Sequence, residues 1–283
     1  MTVTRRGVLA AALTAVAAPA AAAGRASGLR VMTFNVRVPV DREPERTWEA
    51  RRPLAAALIR RTAPDLIGTQ ELVKRQGDDL VAALPDYAWF GRDRRGGHDD
   101  EHMGILYRRD RLRLVEQGDF WLSDTPGVPG SMTWGNVFPR MVTWGRFETR
   151  GPASRSVQML NTHFPYRDVD AAARLQCAAA ILAHVAMLRP DLPVVLTGDF
   201  NCDAREAPHA RLATVLTDAH AAAPRVRGPA ATFHDFGKDD DPRRIDWIMT
   251  RGMHARALTT LEDHAGAVWP SDHRPVLAEL DWR

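Results

Sequence analysis

Residues 194–203 read VVLTGDFNCD, an apolar run rich in valine that ends in two acids and an amide. The apolar half is typical of a buried strand in an α/β protein. Asp199 and Asn201 follow it at once, although an unpaired acid or amide is costly to bury. Functional side chains of layered α/β proteins gather where strands end. The stretch therefore predicts a buried strand that delivers Asp199 and Asn201 to a polar site.

Strand-like and helix-like segments alternate on both sides of this stretch. Strands are predicted at residues 29–36, 65–70, 104–108, 112–122, 141–148, 157–162, 193–196, 245–249 and 276–280, and helices at residues 48–61, 78–84, 168–188 and 208–216. The first and last parts read as βα alternation, and the middle reads as an antiparallel region. Such a mixture predicts an α/β protein with two packed, mixed β-sheets flanked by helices around one core.

Other predicted strands also end in polar residues. These are Asn35 in LRVMTFNV, Glu71 in DLIGTQE, His163 in VQMLNTHF, Asp246 in RRIDWIM, and Asp272 and His273 in SDHRPVLAEL. Each has an ordinary explanation by itself, such as a turn residue, a helix cap or a hydrogen-bonded core histidine. Brought to one sheet edge, the acids would repel one another unless a cation joined them. Oxygen ligands favour Mg²⁺ or Mn²⁺ over Zn²⁺, which indicates metal-assisted attack of water on a phosphorus ester.

The motifs resemble those of a known superfamily. TFNVR, PDLIGTQE, NTHF, TGDFN, RRIDWI and SDHRPV occur in the order and at roughly the intervals seen in the endonuclease/exonuclease/phosphatase superfamily, over residues 29–281. That group includes deoxyribonucleases, deadenylases, inositol polyphosphate 5-phosphatases and bacterial sphingomyelinases. The resemblance implies a four-layer α/β sandwich over residues 24–283 and metal-dependent hydrolysis of a phosphoric ester.

The resemblance also implies roles for the polar strand ends. It assigns metal ligation to Asn35, Glu71 and Asp272, with Mg²⁺ expected and Mn²⁺ as the alternative. It implies that Asp199 orients or deprotonates the attacking water, that Asn201 donates to the phosphate, that Asp246 holds His273 against the phosphate, and that His163 stabilises the leaving oxygen.

Three features between the motifs have two or more interpretations. Glu101 is either a catalytic partner of His163, as in the deoxyribonuclease branch, or a solvated loop acid. Arg140 is expected to be an ordinary surface arginine, with substrate contact as the alternative. In the loop at residues 119–140 the aromatic residues could stack on bases, rest against lipid or pack under the loop; they are Trp121, Trp134 and Phe138.

The charge of the chain bears on its substrate. The formal net charge is +3, from 38 basic and 35 acidic residues, and it becomes 36 minus 35, or +1, without Arg5 and Arg6. A near-neutral protein is not typical of sequence-blind DNA binders. The leading hypothesis is an Mg²⁺-dependent phosphodiesterase, with nuclease as the specific activity, acting as a monomer without a stable protein partner. The alternatives are a phospholipid or sugar-phosphate esterase and a catalytically inactive binding module.

The N-terminal residues indicate export. Residues 1–23 combine a twin-arginine-like segment, TRRGVL, with a short alanine-rich run and an Ala-x-Ala end. An uncleaved anchor is the alternative, although the apolar run is short for a bilayer span and no membrane span is expected after cleavage. Cys177 and Cys202 are expected to be buried free thiols rather than a disulfide, because the first lies in a helical stretch and the second beside the site.

Overall fold

The computed structural model describes residues 28–151, 153–238 and 241–283, so the predicted export signal at residues 1–23 lies outside the described residues. The strands of the described part are β1 (Gly28–Asn35), β2 (Leu66–Gln70), β3 (Tyr87–Phe90), β4 (Ile105–Arg108), β5 (Leu112–Trp121), β6 (Met141–Thr149), β7 (Ser156–His163), β8 (Val194–Asp199), β9 (Thr217–Asp218), β10 (Val226–Arg227), β11 (Asp246–Arg251), β12 (Met253–Thr260) and β13 (Val276–Trp282). The α-helices are α1 (Trp48–Thr62), α2 (Lys74–Ala83), α3 (Ala171–Met187), α4 (Ala207–Leu212) and α5 (Ala219–Ala222).

The strands form two mixed sheets. The first sheet has the order β10-β12-β13-β1-β2-β4-β3, with β1 parallel to β2 and antiparallel to β13. The second sheet has the order β5-β6-β7-β8-β11-β9, with β7 parallel to β8 and β8 antiparallel to β11. The predicted fold class, two packed mixed sheets flanked by helices, is confirmed.

The apolar residues divide into layers because successive residues of a strand point to opposite faces. Val31 of β1 packs between the two sheets, while its neighbour Met32 packs against helices α1 and α2. In the second sheet Val195 packs between the sheets, while Val194 and Leu196 face the side of α3. Each sheet therefore buries one face on its partner and the other under helices, which gives the order helix, sheet, sheet, helix.

The space between the sheets becomes polar towards the ends of β1, β2, β7 and β8. Asn161 accepts hydrogen bonds from Gln70 at 2.7 Å and from Thr197 at 3.0 Å, and its amide donates to the carbonyl of Thr69 at 2.7 Å. Gly68 faces this network, where an added Cβ would lie 2.0 Å from Oγ1 of Thr197. The two sheets are thus joined by a close-packed polar layer directly beneath the sheet ends that carry the site.

Some predicted boundaries were wrong. Helix α2 begins at Lys74 rather than at residue 78, and α4 ends at Leu212 rather than at residue 216. Strands β3 and β12 were not predicted. The first, YAWF, is only four residues long, and the second has polar residues at its exposed positions and lacks the apolar run by which most strands were recognised. The two-residue strands β9 and β10 were not predicted either.

Helix α3 carries one of the two cysteines. Cys177 and Cys202 are both free and buried, so the prediction that they do not pair is confirmed. Within the described ranges, the stretch Asp168–Met187 is long and apolar enough to cross a membrane by length and composition. Its residues Cys177, Ile181 and Val185 are buried against the second sheet, which is the packing of a core helix.

Candidate active site

The polar strand ends meet where the space between the two sheets opens. His163, Asp199 and Asp246 are register partners on the neighbouring strands β7, β8 and β11. Each is separated by two or four residues along its strand from a residue that packs between the sheets. Because alternate residues of a strand face the same side, each side chain points towards the first sheet. Asn35 ends β1 in the facing sheet, and Glu71 follows β2.

These residues surround one pocket with a volume of about 450 Å³. Of the sequence-predicted site residues, those in its lining are Glu71, Glu101, His163, Asp199, Asn201, Asp272 and His273. Asn35 and Asp246 are 0% and 1% exposed and lie beneath the lining, where they contact its members. All nine predicted residues are therefore brought to one place, seven at the surface of the pocket and two as its support.

Two of the chain reversals at the sheet ends have backbone angles that L-residues rarely adopt. Glu71 has a φ of 57° and Asn201 a φ of 51°. Non-glycine residues in this left-handed region are uncommon and cluster at functional sites. The reversal at Asn201 lets its backbone NH donate to Oδ1 of Asp199 at 3.0 Å, while its side chain donates to the carbonyl of Phe164 at 3.0 Å.

His273 lies between two carboxylates. Its Nδ1 is 2.9 Å from Oδ2 of Asp246, and its Nε2 is 3.7 Å from Oδ2 of Asp199. Burial by itself would lower the pKa of His273, but the charges of Asp246 and Asp199 outweigh it and raise the pKa well above its ordinary value. The side chain is thus held as an imidazolium with Nε2 directed to the pocket.

Asp199 is the carboxylate at the centre of the site. Its Oδ2 accepts a hydrogen bond from Nδ2 of Asn35 at 3.0 Å and lies 3.5 Å from Nε2 of His163. Burial and the neighbouring charge of Asp246 raise the pKa of Asp199 to about 7. A carboxylate with this pKa is suited to accept a proton near neutral pH.

His163 is the second imidazole of the pocket. Burial, followed by the positive charge of Arg140, lowers its pKa well below the ordinary value, so it is neutral. Its Nδ1 has no hydrogen-bond partner among the described residues. The two histidines therefore differ in charge, because the charges of the carboxylates outweigh burial at His273, whereas burial dominates at His163.

Two further carboxylates face each other across the ends of β2 and β13. Nη1 of Arg37 lies 3.9 Å from Oε2 of Glu71, and Nε of Arg37 lies 3.7 Å from Oδ2 of Asp272. Glu71 also accepts from the amide of Asn35 at 3.1 Å and from the backbone NH of Val38 at 3.0 Å. Burial and the charge of Glu71 raise the pKa of Asp272 above its usual range, although the charges of His273 and Arg37 act in the opposite direction.

The pocket contains two groups that could bind a metal ion. Ligand atoms of Asp199, Asp246 and His273 lie within 4.8 Å of one another. In that group the imidazolium of His273 is already bonded to Asp246 and balances the acids. The other group is Glu71 and Asp272 with Asn35 beside them, and the carboxylate oxygens fit a hard divalent ion. We favour the second group, because among the described residues neither of its carboxylates is hydrogen-bonded to a charged side chain: Arg37 lies 3.9 and 3.7 Å away, and the closer donors are neutral.

Glu101 does not contact His163, contrary to the deoxyribonuclease-like interpretation. Its Oε2 accepts a hydrogen bond from Arg94 at 2.9 Å. Burial raises the pKa of Glu101 above its usual range, so it is not a solvated loop acid either. Glu101 bonds to Arg94 because both residues belong to the loop at residues 91–104 and both line the pocket.

The loop aromatics are mostly structural. Trp121 is buried and donates to the carbonyl of Arg94, and Trp134 packs against the core under the loop and donates to Asp124. Only Phe138 lines the pocket, and the guanidinium of Arg94 lies 4.3 Å from its ring centre. Packing under the loop is therefore the correct interpretation for the two tryptophans.

Sequence reasoning missed or misjudged several arginines of the site. Arg140 was expected at the surface but is only 3% exposed and lines the pocket. Arg37 belongs to the TFNVR motif, and its position two residues after Asn35 was the available signal. Arg51, from α1, is fully buried and donates to the carbonyls of Val36 and Pro270 at 2.6 and 3.0 Å. No sequence signal marked it, because its partners are backbone atoms.

Comparisons with known proteins agree with this geometry. The structure of an endonuclease/exonuclease/phosphatase from Bacteroides vulgatus is 30% identical, with a TM-score of 0.86, and the match covers 91% of this chain and 100% of that one. A mannosyl-6-phosphatase of Bacteroides thetaiotaomicron is 31% identical, with a TM-score of 0.82 and coverage of 90% and 100%. An uncharacterized protein of Acanthamoeba polyphaga mimivirus is 30% identical over 164 residues, and the match spans 55% of this chain and 60% of the viral protein.

The sequence model of the Endonuclease/Exonuclease/phosphatase family matches residues 32–273. This range contains every predicted site residue, from Asn35 to His273, and the matched structures share both sheets and their flanking helices. The chain therefore belongs to the endonuclease/exonuclease/phosphatase family.

Proposed function

We propose that the protein uses water to hydrolyse the phosphate ester of a small phosphorylated molecule, with a sugar phosphate as the leading substrate class. The observation that supports this best is the convergence of Glu71, Asp272, Asp199 and His273 in one pocket of about 450 Å³. Carboxylates for a metal, a carboxylate for water and an imidazolium for the phosphoryl group are the parts that phosphoryl transfer to water requires. The family consists of phosphoester hydrolases, which agrees with this chemistry.

The side chains of the pocket have distinct tasks in this proposal. Asp199 accepts a proton from the attacking water as the new bond between oxygen and phosphorus forms. His273, held as an imidazolium by Asp246, donates from Nε2 to a phosphoryl oxygen that gains negative charge. Neutral His163 donates a hydrogen bond to the leaving oxygen as its bond to phosphorus breaks, and that oxygen then takes its proton from solvent.

The proposal includes a divalent cation, Mg²⁺ in the first place and Mn²⁺ as the alternative. Glu71 and Asp272 would hold the ion, because oxygen donors suit hard cations. Asn35 donates from Nδ2 to Glu71 and Asp199 and accepts at Oδ1 from the backbone NH of Arg37, so its amide would orient these carboxylates around the ion. The ion would supply positive charge that neutralises the phosphoryl oxygens. The partly buried Glu71 and the buried Asp272 have neutral donors within hydrogen-bond distance and the guanidinium of Arg37 only at 3.9 and 3.7 Å, which supports this assignment.

The substrate class is inferred from the pocket and from the matched phosphatase. The mannosyl-6-phosphatase is 31% identical over almost the whole of both chains. The pocket has the size of a small-molecule site, since such sites measure about 300 to 1,000 Å³. Without residues 1–23 the chain would be near neutral, so it would also lack the excess of basic residues that is typical of proteins binding the phosphate backbone of nucleic acids.

A nuclease acting on phosphodiesters is the second candidate. Tyr166 and Phe233 line the pocket, and Tyr166 is 52% exposed, so a base could stack on either ring. A phospholipid esterase would use the same catalytic groups on a lipid head group. A catalytically inactive binding module is disfavoured, since the acids and imidazoles of the motifs all converge.

One substrate panel tests these proposals. The purified protein is incubated with hexose phosphates, p-nitrophenyl phosphate, bis(p-nitrophenyl) phosphate, single- and double-stranded DNA and phospholipid vesicles, with Mg²⁺, Mn²⁺ or a chelator. We expect metal-dependent release of phosphate, fastest from a sugar phosphate, and loss of at least 100-fold in Asp199→Ala and His273→Ala variants that keep the wild-type circular dichroism. Absence of hydrolysis with every ester and metal would refute the proposal, and faster cleavage of DNA would favour the second candidate.

We also propose that residues 1–23 direct export by the twin-arginine route, as the TRRGVL segment indicates. The test is to express the full chain with a C-terminal tag in a bacterium that has this route and to follow the tag in cell fractions. We expect it outside the cytoplasm, and we expect retention when Arg5 and Arg6 are both changed to lysine. Export that is unaffected by this double change would contradict the proposal.

A further inference from the structure

Four arginines line the catalytic pocket, and three of them have a carboxylate partner. Arg37 forms two hydrogen bonds to Asp41, at 3.0 and 2.9 Å. Arg94 bonds to Glu101 and Asp100, each at 2.9 Å. Arg243 bonds to Asp241 at 2.7 Å. The fourth, Arg140, is 3% exposed, and its Nη1 is buried without a hydrogen-bond partner anywhere in the described ranges.

A buried guanidinium without a hydrogen-bonded partner is costly to the fold. Burial accordingly lowers the pKa of Arg140, although the charges of Glu101, Asp199 and Glu71 act at longer range to raise it. Asp199 and Glu71 are groups that would accept a proton or bind a metal during catalysis, and Glu101 is already hydrogen-bonded to Arg94. Once they are engaged in this way, Arg140 lacks compensation, so the site with metal bound requires an additional anion.

The topology places Arg140 beside the reacting groups. It directly precedes β6, which pairs with β7, and Thr162 next to His163 donates from Oγ1 to the carbonyl of Met141 at 2.9 Å. Arg140 lines the same pocket as His163 and Asp199, and its charge contributes to the lowered pKa of His163. Neighbouring strands are about 4.8 Å apart, so a phosphate that contacts His163 and Asp199 lies within reach of the Arg140 side chain.

The number of cations around the phosphate bears on the kind of ester. A phosphomonoester carries roughly 1.5 to 2 negative charges and three terminal oxygens at neutral pH, whereas each linkage of a diester carries about one charge. A guanidinium matches the terminal oxygens of a phosphate by paired hydrogen bonds. The positive charges of His273 and the expected metal already neutralise the single negative charge of a phosphodiester. A third fixed cation would therefore mainly stabilise the additional negative charge of a phosphomonoester.

We propose that Arg140 binds a terminal oxygen of the substrate phosphate and makes the pocket selective for phosphomonoesters over phosphodiesters. This inference rests on the proposed phosphoesterase function and adds to it the class of ester and the residue that selects it.

The test compares two substrates that release the same leaving group, p-nitrophenyl phosphate and bis(p-nitrophenyl) phosphate. The variants are Arg140→Gln, which removes the charge, Arg140→Lys, which keeps it, and Arg211→Gln as a control on an exposed arginine of α4. We expect Arg140→Gln to lower kcat/KM for the monoester by about 100-fold or more, since a lost donor to a phosphoryl oxygen costs this much. The diester rate should fall by less than about fivefold, with Arg140→Lys intermediate and the control unchanged.

A second measurement uses the wild type alone and does not depend on how the variants fold. Inorganic phosphate and dimethyl phosphate are compared as inhibitors in the presence of the activating metal. We expect phosphate to bind at least about tenfold more tightly, because it offers the additional anionic oxygen.

The outcomes separate the inference from the function. If the wild type hydrolyses neither ester, the phosphoesterase proposal itself fails. If it hydrolyses both, but Arg140→Gln lowers the two rates by the same factor or the two inhibitors bind equally, the function stands and the role of Arg140 is wrong.

Discussion

The guanidinium of Arg51 in α1 donates a hydrogen bond of 3.0 Å to the carbonyl oxygen of Pro270, 219 residues later in the chain. The same group donates to the carbonyls of Val36, Arg37 and Arg46. One buried cation thereby joins the exit of β1, just after Asn35, to the segment that carries Asp272. The two halves of the proposed metal site are held in register by a residue that does not line the pocket.

We predict that Arg51→Lys destabilises the protein and disturbs the metal site. Lysine cannot replace four directed donors, and buried carbonyls would lose their partners, so the free energy of unfolding should fall by about 2 to 4 kcal/mol. Urea denaturation and the affinity for Mn²⁺ are the measurements, and both should decline. Arg52→Lys is the control, since Arg52 is half exposed and pairs with Asp79 at 3.3 Å. Wild-type stability in Arg51→Lys would contradict this prediction.

The metal assignment predicts different effects for the two carboxylate groups. Glu71→Gln and Asp272→Asn should weaken Mn²⁺ binding by at least about tenfold, measured by calorimetry, and should abolish metal-stimulated hydrolysis. Asp246→Asn should lower the rate through His273 but leave Mn²⁺ affinity within about threefold of wild type. If Asp246→Asn loses the metal while Glu71→Gln keeps it, the ion belongs to the group formed by Asp199, Asp246 and His273.

The polar layer between the sheets predicts that Gly68→Ala is harmful. The new Cβ would lie 2.0 Å from Oγ1 of Thr197 and 2.4 Å from Oδ1 of Asn161, so the sheets must shift. We expect a loss of about 1 to 3 kcal/mol in the free energy of unfolding, together with reduced activity, because the layer supports the ends of β7 and β8. Gly127→Ala is the matched control, since nothing lies within 4 Å of its Cβ. Equal stability of the two variants would show that the layer tolerates the additional methyl group.

Asp218 gives a prediction for the dependence of stability on pH. Burial by itself raises its pKa, but the hydrogen bond from His209 and the charge of Arg244 outweigh this and lower the pKa from 3.8 to about 2. Because the folded pKa is depressed, the ionised carboxylate stabilises the fold above about pH 4, and this contribution disappears as the pH falls towards 2.

Asp218→Asn should therefore lower the free energy of unfolding at pH 7 by about 2 kcal/mol, the equivalent of the pKa shift. The difference from wild type should shrink between pH 4 and about pH 3 in urea titrations. Asp191→Asn is the control, because its partner Arg189 and its own side chain are both exposed and such pairs contribute little. A difference that stays constant with pH would exclude the electrostatic explanation.

Much of the fold and site could be predicted because alternate residues of a strand face the same side of the sheet, so their polarity reflects the environment of that side. Val195, Thr197 and Asp199 are the apolar, polar-layer and pocket positions of β8, and Met159, Asn161 and His163 repeat this order in β7. Both series are visible in the sequence, and together with the ordered motifs they indicate where the chain places its acids and imidazoles. Strands β3 and β12 were not predictable in this way, since the first is only four residues long and the second has no apolar run.

The side-chain partners were harder to predict than the strand ends. Glu101 was interpreted either as a catalytic partner of His163 or as a solvated loop acid, but it bonds to Arg94, only seven residues away. Arg140 follows a loop rich in proline and glycine, and such a position is ordinarily exposed. Its burial depends on the packing of the loop over the pocket, which involves contacts between distant residues. Pairings of this kind depend on tertiary structure and have no local sequence signal.

The position of β13 has a consequence for biosynthesis. This last strand lies between β12 and β1 in the middle of the first sheet, and Asp272 and His273 directly precede it. A nascent chain that stops short of Val276 would leave the inner strand β1 without its antiparallel neighbour and would not fix these two residues against the rest of the pocket. Hydrolytic competence would therefore arise only once β13 has been synthesised and paired, and truncation before Val276 would yield an inert product.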